Sequence, residues 1–388
     1  MIDFKTTSLE QVLNHKTMYY DKIDFTIVQK SYDIISKHVT LPYVIHIVGT
    51  NGKGSTGRFL SHYLNKKSFK TLHNSSPHIL KFNERIWING KDSTNRELEF
   101  AHEKIQKLLD IELLEKLTYF EYTTLLAIIL SDGLDYLILE AGLGGEFDAT
   151  NVVPSDLSLV TTIDLDHQSF LGNTIEEIAR TKMRSVDKKM IIGYQIHEEV
   201  YEIAKLVKKE LKEEFGREII IQNVKEFDKY SLNKKFAKYL KTNLHLVIEV
   251  LKELNIQLEL EIFDDLKLFG RCEKIAPNIT IDVGHNPLAA KVLVKEFENK
   301  KINLVYNSYA DKDYEKVLKI LKPIIKKITI LDVDDKRIVD KNNLLEICQT
   351  LNIMTSDLEN IKENEEYLVF GSFLVVEKFI RNMGFNEK

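Results

Sequence analysis

"VIHIVGTNGKGST", residues 44–56, sets three glycines and a lysine between an apolar run and a helix-compatible segment. A strand that turns through glycines into a helix aims its backbone N–H groups at one point. The partial positive charge of the helix start adds to them there. Such a turn is a phosphate cradle, contributed by Gly49, Thr50, Asn51, Gly52, Lys53, Gly54, Ser55 and Thr56. Lys53 suits charge neutralisation at β- and γ-phosphates, and Ser55 offers a hydroxyl to Mg2+. The spacing departs from the common G-x-x-x-x-G-K-[ST], because Gly54 follows Lys53 and Ser55 comes one place later. Taken alone, the motif leaves four readings open: a turn without a ligand, a switch, a kinase, or an enzyme that uses ATP to join two molecules.

The rest of the chain decides the fold around this turn. The runs at 43–49, 135–142, 157–165 and 188–193 are short, apolar and rich in β-branched residues, without in/out alternation. Strands buried on both faces of a parallel sheet read this way. "TYFEYTTLLAIILSDG" (118–133) is a helix-length apolar segment between the first two. The expectation is a doubly wound α/β domain. Residues 198–215 and 239–255 read as amphipathic helices, and strand patterns resume at 278–284, 302–307, 328–333 and 366–371. A second, smaller Rossmann-like α/β domain is therefore expected, with domains at 1–267 and 268–388.

Of the 388 residues, 44% are hydrophobic, enough for two cores, and the net charge of -5 is spread along the chain. No block of like charge marks a nucleic-acid arm. No apolar run approaches the roughly 18 residues of a membrane span. Cys272 and Cys348 form neither a disulfide framework nor a metal-ligand spacing. With an N-terminus unlike a signal peptide, a cytoplasmic protein is expected.

"GTNGKGS" resembles the ATP loop of the Mur ligase superfamily, and within it folylpolyglutamate synthase/dihydrofolate synthase. Further segments are similar to that family in the same order. They are "SSPHILKFNERI" (75–86), "LTYFEYTTL" (117–125), "LEAGLGGEFDATN" (139–151) and "IDLDHQSFLGNTIEEIARTK" (163–182). "FGRCE" (269–273), "IDVGHNPLAA" (281–290) and "VFGSFLVV" (369–376) continue the series. The resemblance implies a two-domain Mur-ligase-like fold, ATP and Mg2+ as cofactors, and amide formation. A carboxylate takes the γ-phosphoryl group, and the amine of L-glutamate then displaces phosphate.

Carried over by position, the resemblance implies roles for particular residues. Ser76, Glu121 and His167 match magnesium ligands, and Lys53, Lys182 and His285 match the catalytic groups. Lys182 matches a lysine carried as a carbamate, although Thr181 precedes it and Met183-Arg184 follow, unlike the family pattern. Asn243, Arg271 and Asp282 match nucleotide contacts. Read without the resemblance, Glu121 is also a helix-start acid, His167 a loop histidine and Lys182 an exposed helical lysine. "ADKDYEKV" (310–317) resembles a family loop, with a helix-capping acid as the alternative.

For the substrate, Ile23, Asp24 and Phe25 on one side and Thr118, Tyr119 and Phe120 on the other resemble the pterin pocket of the bifunctional enzymes. Arg85, Phe147 and Asp148 join them. Glu146 stands where the family carries an arginine, reversing charge near the pteroate site; Arg85 or Lys81 is the expected compensation. The substrates implied are dihydropteroate or folates with L-glutamate, acted on by a monomer without nucleic-acid or membrane partners. A tail-lengthening enzyme alone and a nucleotide-binding protein without ligase activity are the alternatives. A ligase for a UDP-linked precursor is disfavoured, because little chain precedes Gly49. Trp87, the single tryptophan, is expected to report pteroate binding.

Overall fold

The computed structural model describes residues 3–17, 24–225, 236–357 and 361–385; Ile23, expected in the substrate site, lies outside them. The chain divides into two compact units, Met1–Lys235 with Leu240–Leu266, and Phe236–Tyr239 with Lys267–Lys388.

In the first unit the strands are β1 (Tyr43–Val48), β2 (Thr71–Asn74), β3 (Ile86–Ile88), β4 (Lys91–Asp92), β5 (Tyr136–Glu140), β6 (Leu157–Val160), β7 (Lys189–Ile192) and β8 (Ile220–Asn223). Among the described residues they form one sheet in the order β4-β3-β2-β5-β1-β6-β7-β8. From β2 to β8 every pairing is parallel, while β3 and β4 add an antiparallel edge. β1, β5, β6 and β7 are the four expected strands. β2 was not expected, because "TLHN" is short and mostly polar, yet all four residues are buried.

Helices cover the sheet, and two of the apolar clusters they bury are separate from one another. One joins the Tyr119–Leu130 helix to the N-terminal helices, and the other joins Ile175–Met183 to Glu199–Phe215. Local chemistry fixes where these helices begin. Thr118 with Glu121 and Thr174 with Glu177 close capping boxes, satisfying N–H groups that the first turn leaves unpaired. Gly216, at φ 67°, ends the Glu199–Phe215 helix in the left-handed region that glycine enters most readily.

The second unit carries β9 (Glu273–Ala276), β10 (Ile279–Asp282), β11 (Ile302–Tyr306), β12 (Ile325–Ile330) and β13 (Tyr367–Phe370). Their order is β12-β11-β13-β10-β9, parallel except for the β9 edge. Its core is built from β11, β12 and β13 with flanking helices. Among the described residues no helix is long and apolar enough to cross a membrane.

Candidate active site

β1 turns through Gly49 (φ 146°) and Gly52 (φ 94°) into the Lys53–Lys66 helix. A Cβ on Gly49 would meet Thr161 Oγ1 at 2.0 Å, and one on Gly52 would meet Asn243 Oδ1 at 2.5 Å. The turn is thus closed to side chains from both sides. The N–H groups of Thr50 and Asn51 donate to Thr162 O (3.0 and 3.2 Å), and the Thr50 hydroxyl donates to Asp164 O at 2.9 Å. These bonds tie the loop to the chain leaving β6. Lys53 Nζ lies back along the loop, 3.2 Å from Gly49 O. Ser55 Oγ donates to Gly52 O and accepts from Asn243 Nδ2 at 2.8 Å. The buried Thr56 hydroxyl has no partner. With the free N–H groups of a helix start, this cradle fits an anionic phosphate chain.

The strand order places a second element beside the cradle. β5 runs between β2 and β1, so Glu140 at its carboxyl end lies between the phosphate loop and the Ser75–Ser76 segment. Glu140 is only 6% exposed, and Ser76 N donates to its Oε2 at 3.3 Å. Glu121 is also buried, but its Oε2 accepts from both the N–H (2.8 Å) and the hydroxyl (2.9 Å) of Thr118. That oxygen is committed to starting the helix. His167, exposed and at φ 50°, follows the end of β6. Among the described residues no group of three or more His, Cys, Asp and Glu side chains surrounds a metal position. Magnesium does not require one: it keeps waters and takes one or two carboxylates together with substrate phosphates. The buried acid Glu140 beside Ser76 fits that ion. Sequence reasoning passed over Glu140 because an acid closing an apolar strand carries no local mark.

Lys182, 4% exposed, is held down to about 7: burial opposes its charge, Lys53 adds repulsion, and Asp166 and Asp148 counteract. Asp148 is buried and shifted upward by that burial. It accepts from Leu143 N (2.7 Å), Thr150 N (3.0 Å) and the Thr150 hydroxyl (2.6 Å). With that hydroxyl donated to Asp148, His46 Nε2 donates to Thr150 Oγ1 at 2.8 Å, a tautomer assigned from the network. Burial lowers His46 to about 4, so the ring is neutral.

An aromatic set gathers around the loop that follows β5. Phe25 meets Phe147 edge-on at 6.5 Å, and Tyr119 meets Phe82 at 6.1 Å. The Arg85 guanidinium sits 5.0 Å from the Tyr119 ring centre while its Nε donates to His78 Nδ1. Phe120 fills the space beside Gly142. Asp24 caps the Phe25–Ile35 helix through Thr26. Trp87 is buried, with the Arg58 guanidinium 4.6 Å from its ring centre. Glu146 is itself paired: Arg184 Nε donates to its Oε1 at 2.9 Å, while Arg85 lies against His78 and Tyr119.

In the second unit, the buried Asp282 accepts from Tyr239 OH (2.8 Å), Cys272 N (2.9 Å) and Gly284 N (2.7 Å). Burial raises its affinity for a proton, and the Arg271 charge opposes that. Tyr239 was not singled out from sequence; nothing local marks it. The Arg271 guanidinium lies over Phe373, and His285 Nδ1 is 3.2 Å from Val283 O. Asp313 of the 310–317 segment caps the Tyr314–Leu321 helix.

No family model matches the chain. The Haemophilus influenzae dihydrofolate synthase/folylpolyglutamate synthase is 32% identical, over 87% of this chain and 88% of that protein. The Buchnera aphidicola (subsp. Baizongia pistaciae) protein of the same name is 30% identical, over 88% and 87%. Among solved structures, Helicobacter pylori folylpolyglutamate synthetase is 38% identical with a TM-score of 0.74, covering 97% of this chain and 98% of that one. Escherichia coli FolC in complex with ADP is 25% identical with a TM-score of 0.83, covering 98% of each. With near full-length identity of this order and a shared two-sheet architecture, the chain belongs to the dihydrofolate synthase/folylpolyglutamate synthase family.

Proposed function

We propose that the protein is an ATP-dependent ligase that joins L-glutamate to dihydropteroate and to the γ-carboxyl group of tetrahydrofolate. One observation carries this reading. The phosphate cradle, the Glu140–Ser76 pair, Lys182 and the Phe25–Phe147 aromatics all belong to one unit and gather at the carboxyl ends of its strands. Ligands of open α/β sheets bind there.

In the reaction, an oxygen of the substrate carboxylate attacks the γ-phosphorus of ATP and ADP leaves. The glutamate amine then attacks the acyl carbon, gives up a proton, and phosphate leaves. The glycine loop and Lys53 hold the phosphates in line, so that catalysis is mostly positioning and charge neutralisation. Bound Mg2+ supplies charge neutralisation at the phosphate oxygens. Glu140, Ser76 and His167 are its assigned ligands, and Glu121 is assigned to capping its own helix. Lys182, able to lose its proton near neutrality, is assigned to the reacting phosphoryl group, with Asp148 and Asp166 beside it. Phe25, Tyr119, Phe120 and Phe147 offer the flat apolar surfaces a pteridine needs, and Arg85 a cation for its anionic end.

For the second unit we assign Arg271 and Asp282 to the nucleotide and His285 to catalysis, with 268–388 as the ligase domain and 1–267 as the ATP and folate domain. We take the enzyme to work as a cytoplasmic monomer. The test is ADP release with ATP, Mg2+ and L-glutamate, run separately with dihydropteroate and tetrahydrofolate. Turnover with both supports the reading, turnover with tetrahydrofolate alone restricts it to tail lengthening, and silence with both overturns it.

A further inference from the structure

The loop between β5 and the Ala149–Val152 turn passes between two helices. On one side a Cβ on Gly142 would strike Phe120; on the other, a Cβ on Gly145 would lie 2.5 Å from Lys182 O. Glu146 is the residue that fastens this loop. Its N–H donates to Thr181 O at 2.8 Å, its carbonyl accepts from Asn151 Nδ2 at 2.8 Å, and its carboxylate takes Arg184 Nε at 2.9 Å. The ion pair is largely shielded, with Glu146 22% and Arg184 15% exposed. Arg184 also holds Glu214 at 2.7 Å and Glu210 at 3.4 Å, and Arg180 holds Glu210 at 2.7 Å. The acid therefore faces the Ile175–Met183 and Glu199–Phe215 helices. The next residue, Phe147, is turned outward, 56% exposed, and meets Phe25 edge-on.

We propose that Glu146 and Arg184 form a positioning pair that sets how this loop presents Phe147 and Asp148 to the pteridine-bearing substrate. The proposal rests on the ligase reading above. Because its carboxylate is held on Arg184, Glu146 does not repel an anionic pteroate, and dihydropteroate is accepted. Removing the Glu146 side chain leaves Arg184 with two carboxylates, so the helix packing survives, while the loop keeps its two backbone bonds and loses the ion pair.

The test compares E146A, R184A, the double variant and E146Q in the full chain. The readouts are kcat and KM for dihydropteroate, tetrahydrofolate and ATP, with thermal melting alongside. Each alanine variant is expected to lose roughly 10-fold in kcat/KM for both folate-side substrates, with KM for ATP unchanged. The double variant is expected to be no worse than R184A alone, since the Glu146 carboxylate acts through that arginine. E146Q keeps an acceptor for Arg184 Nε and is expected to retain more than half of the activity. Additive losses, a lower dihydropteroate KM in E146A, or unchanged constants with an active parent each overturn the pair alone. A parent silent with both substrates overturns the ligase reading and, with it, this one.

Discussion

Asn243 Nδ2 donates to Ser55 Oγ over 2.8 Å although 188 positions separate the two residues. The Lys238–Glu253 helix thereby forms one wall of the phosphate cradle, and the same asparagine occupies the space a side chain on Gly52 would need. Asn243→Ala removes a buried donor and is expected to raise KM for ATP about 10-fold while leaving folate-side KM within two-fold. Gly52→Ala combines that clash with a φ of 94° and is expected to abolish nucleotide binding, as measured by calorimetric titration with ADP.

The two buried acids, Glu140 and Glu121, separate by conservative substitution. Glu140→Gln is expected to raise the Mg2+ concentration for half-maximal ADP release by at least about 10-fold. Glu121→Gln preserves the capping box and is expected to leave that concentration within two-fold, while Glu121→Ala costs about 1 kcal/mol of stability. An equal Mg2+ defect in E121Q and E140Q contradicts the assignment.

Lys182 makes stability depend on pH with a definite sign. Its proton affinity in the fold is near 7, against 10.5 for an ordinary lysine. Below pH 7 both folded and unfolded chains hold the proton, and the buried cation penalises the fold in full. Between pH 7 and 10.5 the unfolded chain holds more protons, so this contribution to stability rises with pH. Lys182→Met is expected to abolish turnover and flatten that part of the stability profile in urea melts.

His46 acts at the acid end. It is neutral in the fold, with a value of about 4 against 6.5 when free. As pH falls from 6.5 toward 4 the unfolded chain gains the proton first, so the fold loses stability across that window. His46→Gln is expected to shrink the difference in urea midpoint between pH 7 and pH 4.5.

Much of the fold was legible because some signals are local. The apolar runs of β1, β5, β6 and β7 need no partner to be recognised, and the Gly49–Gly52 turn announces its backbone geometry directly. β2 was not legible: Thr71, His73 and Asn74 are polar, and it takes the strands on either side together with helices on the faces to bury them. The site divides the same way. Lys53 and Ser55 are proposed from spacing alone, whereas Ser76, His167 and Lys182 are proposed through the family resemblance.

Other relationships had no trace along the chain. Glu140 gains its place from lying between β2 and β1, an order unrelated to sequence order. Arg184 pairs with Glu146 because the Ile175–Met183 helix packs beside the loop. Tyr239 meets Asp282 across 43 positions. The amino-acid sequence by itself determined the element types, the phosphate turn and the family, since periodicity, glycine placement and motif order are properties of neighbouring residues. Only the tertiary structure decided which acid stands beside Ser76, where Glu146 points and that burial disfavours the charge on Lys182. Those depend on burial and on charges a few ångströms apart in space, and chain separation carries no measure of either.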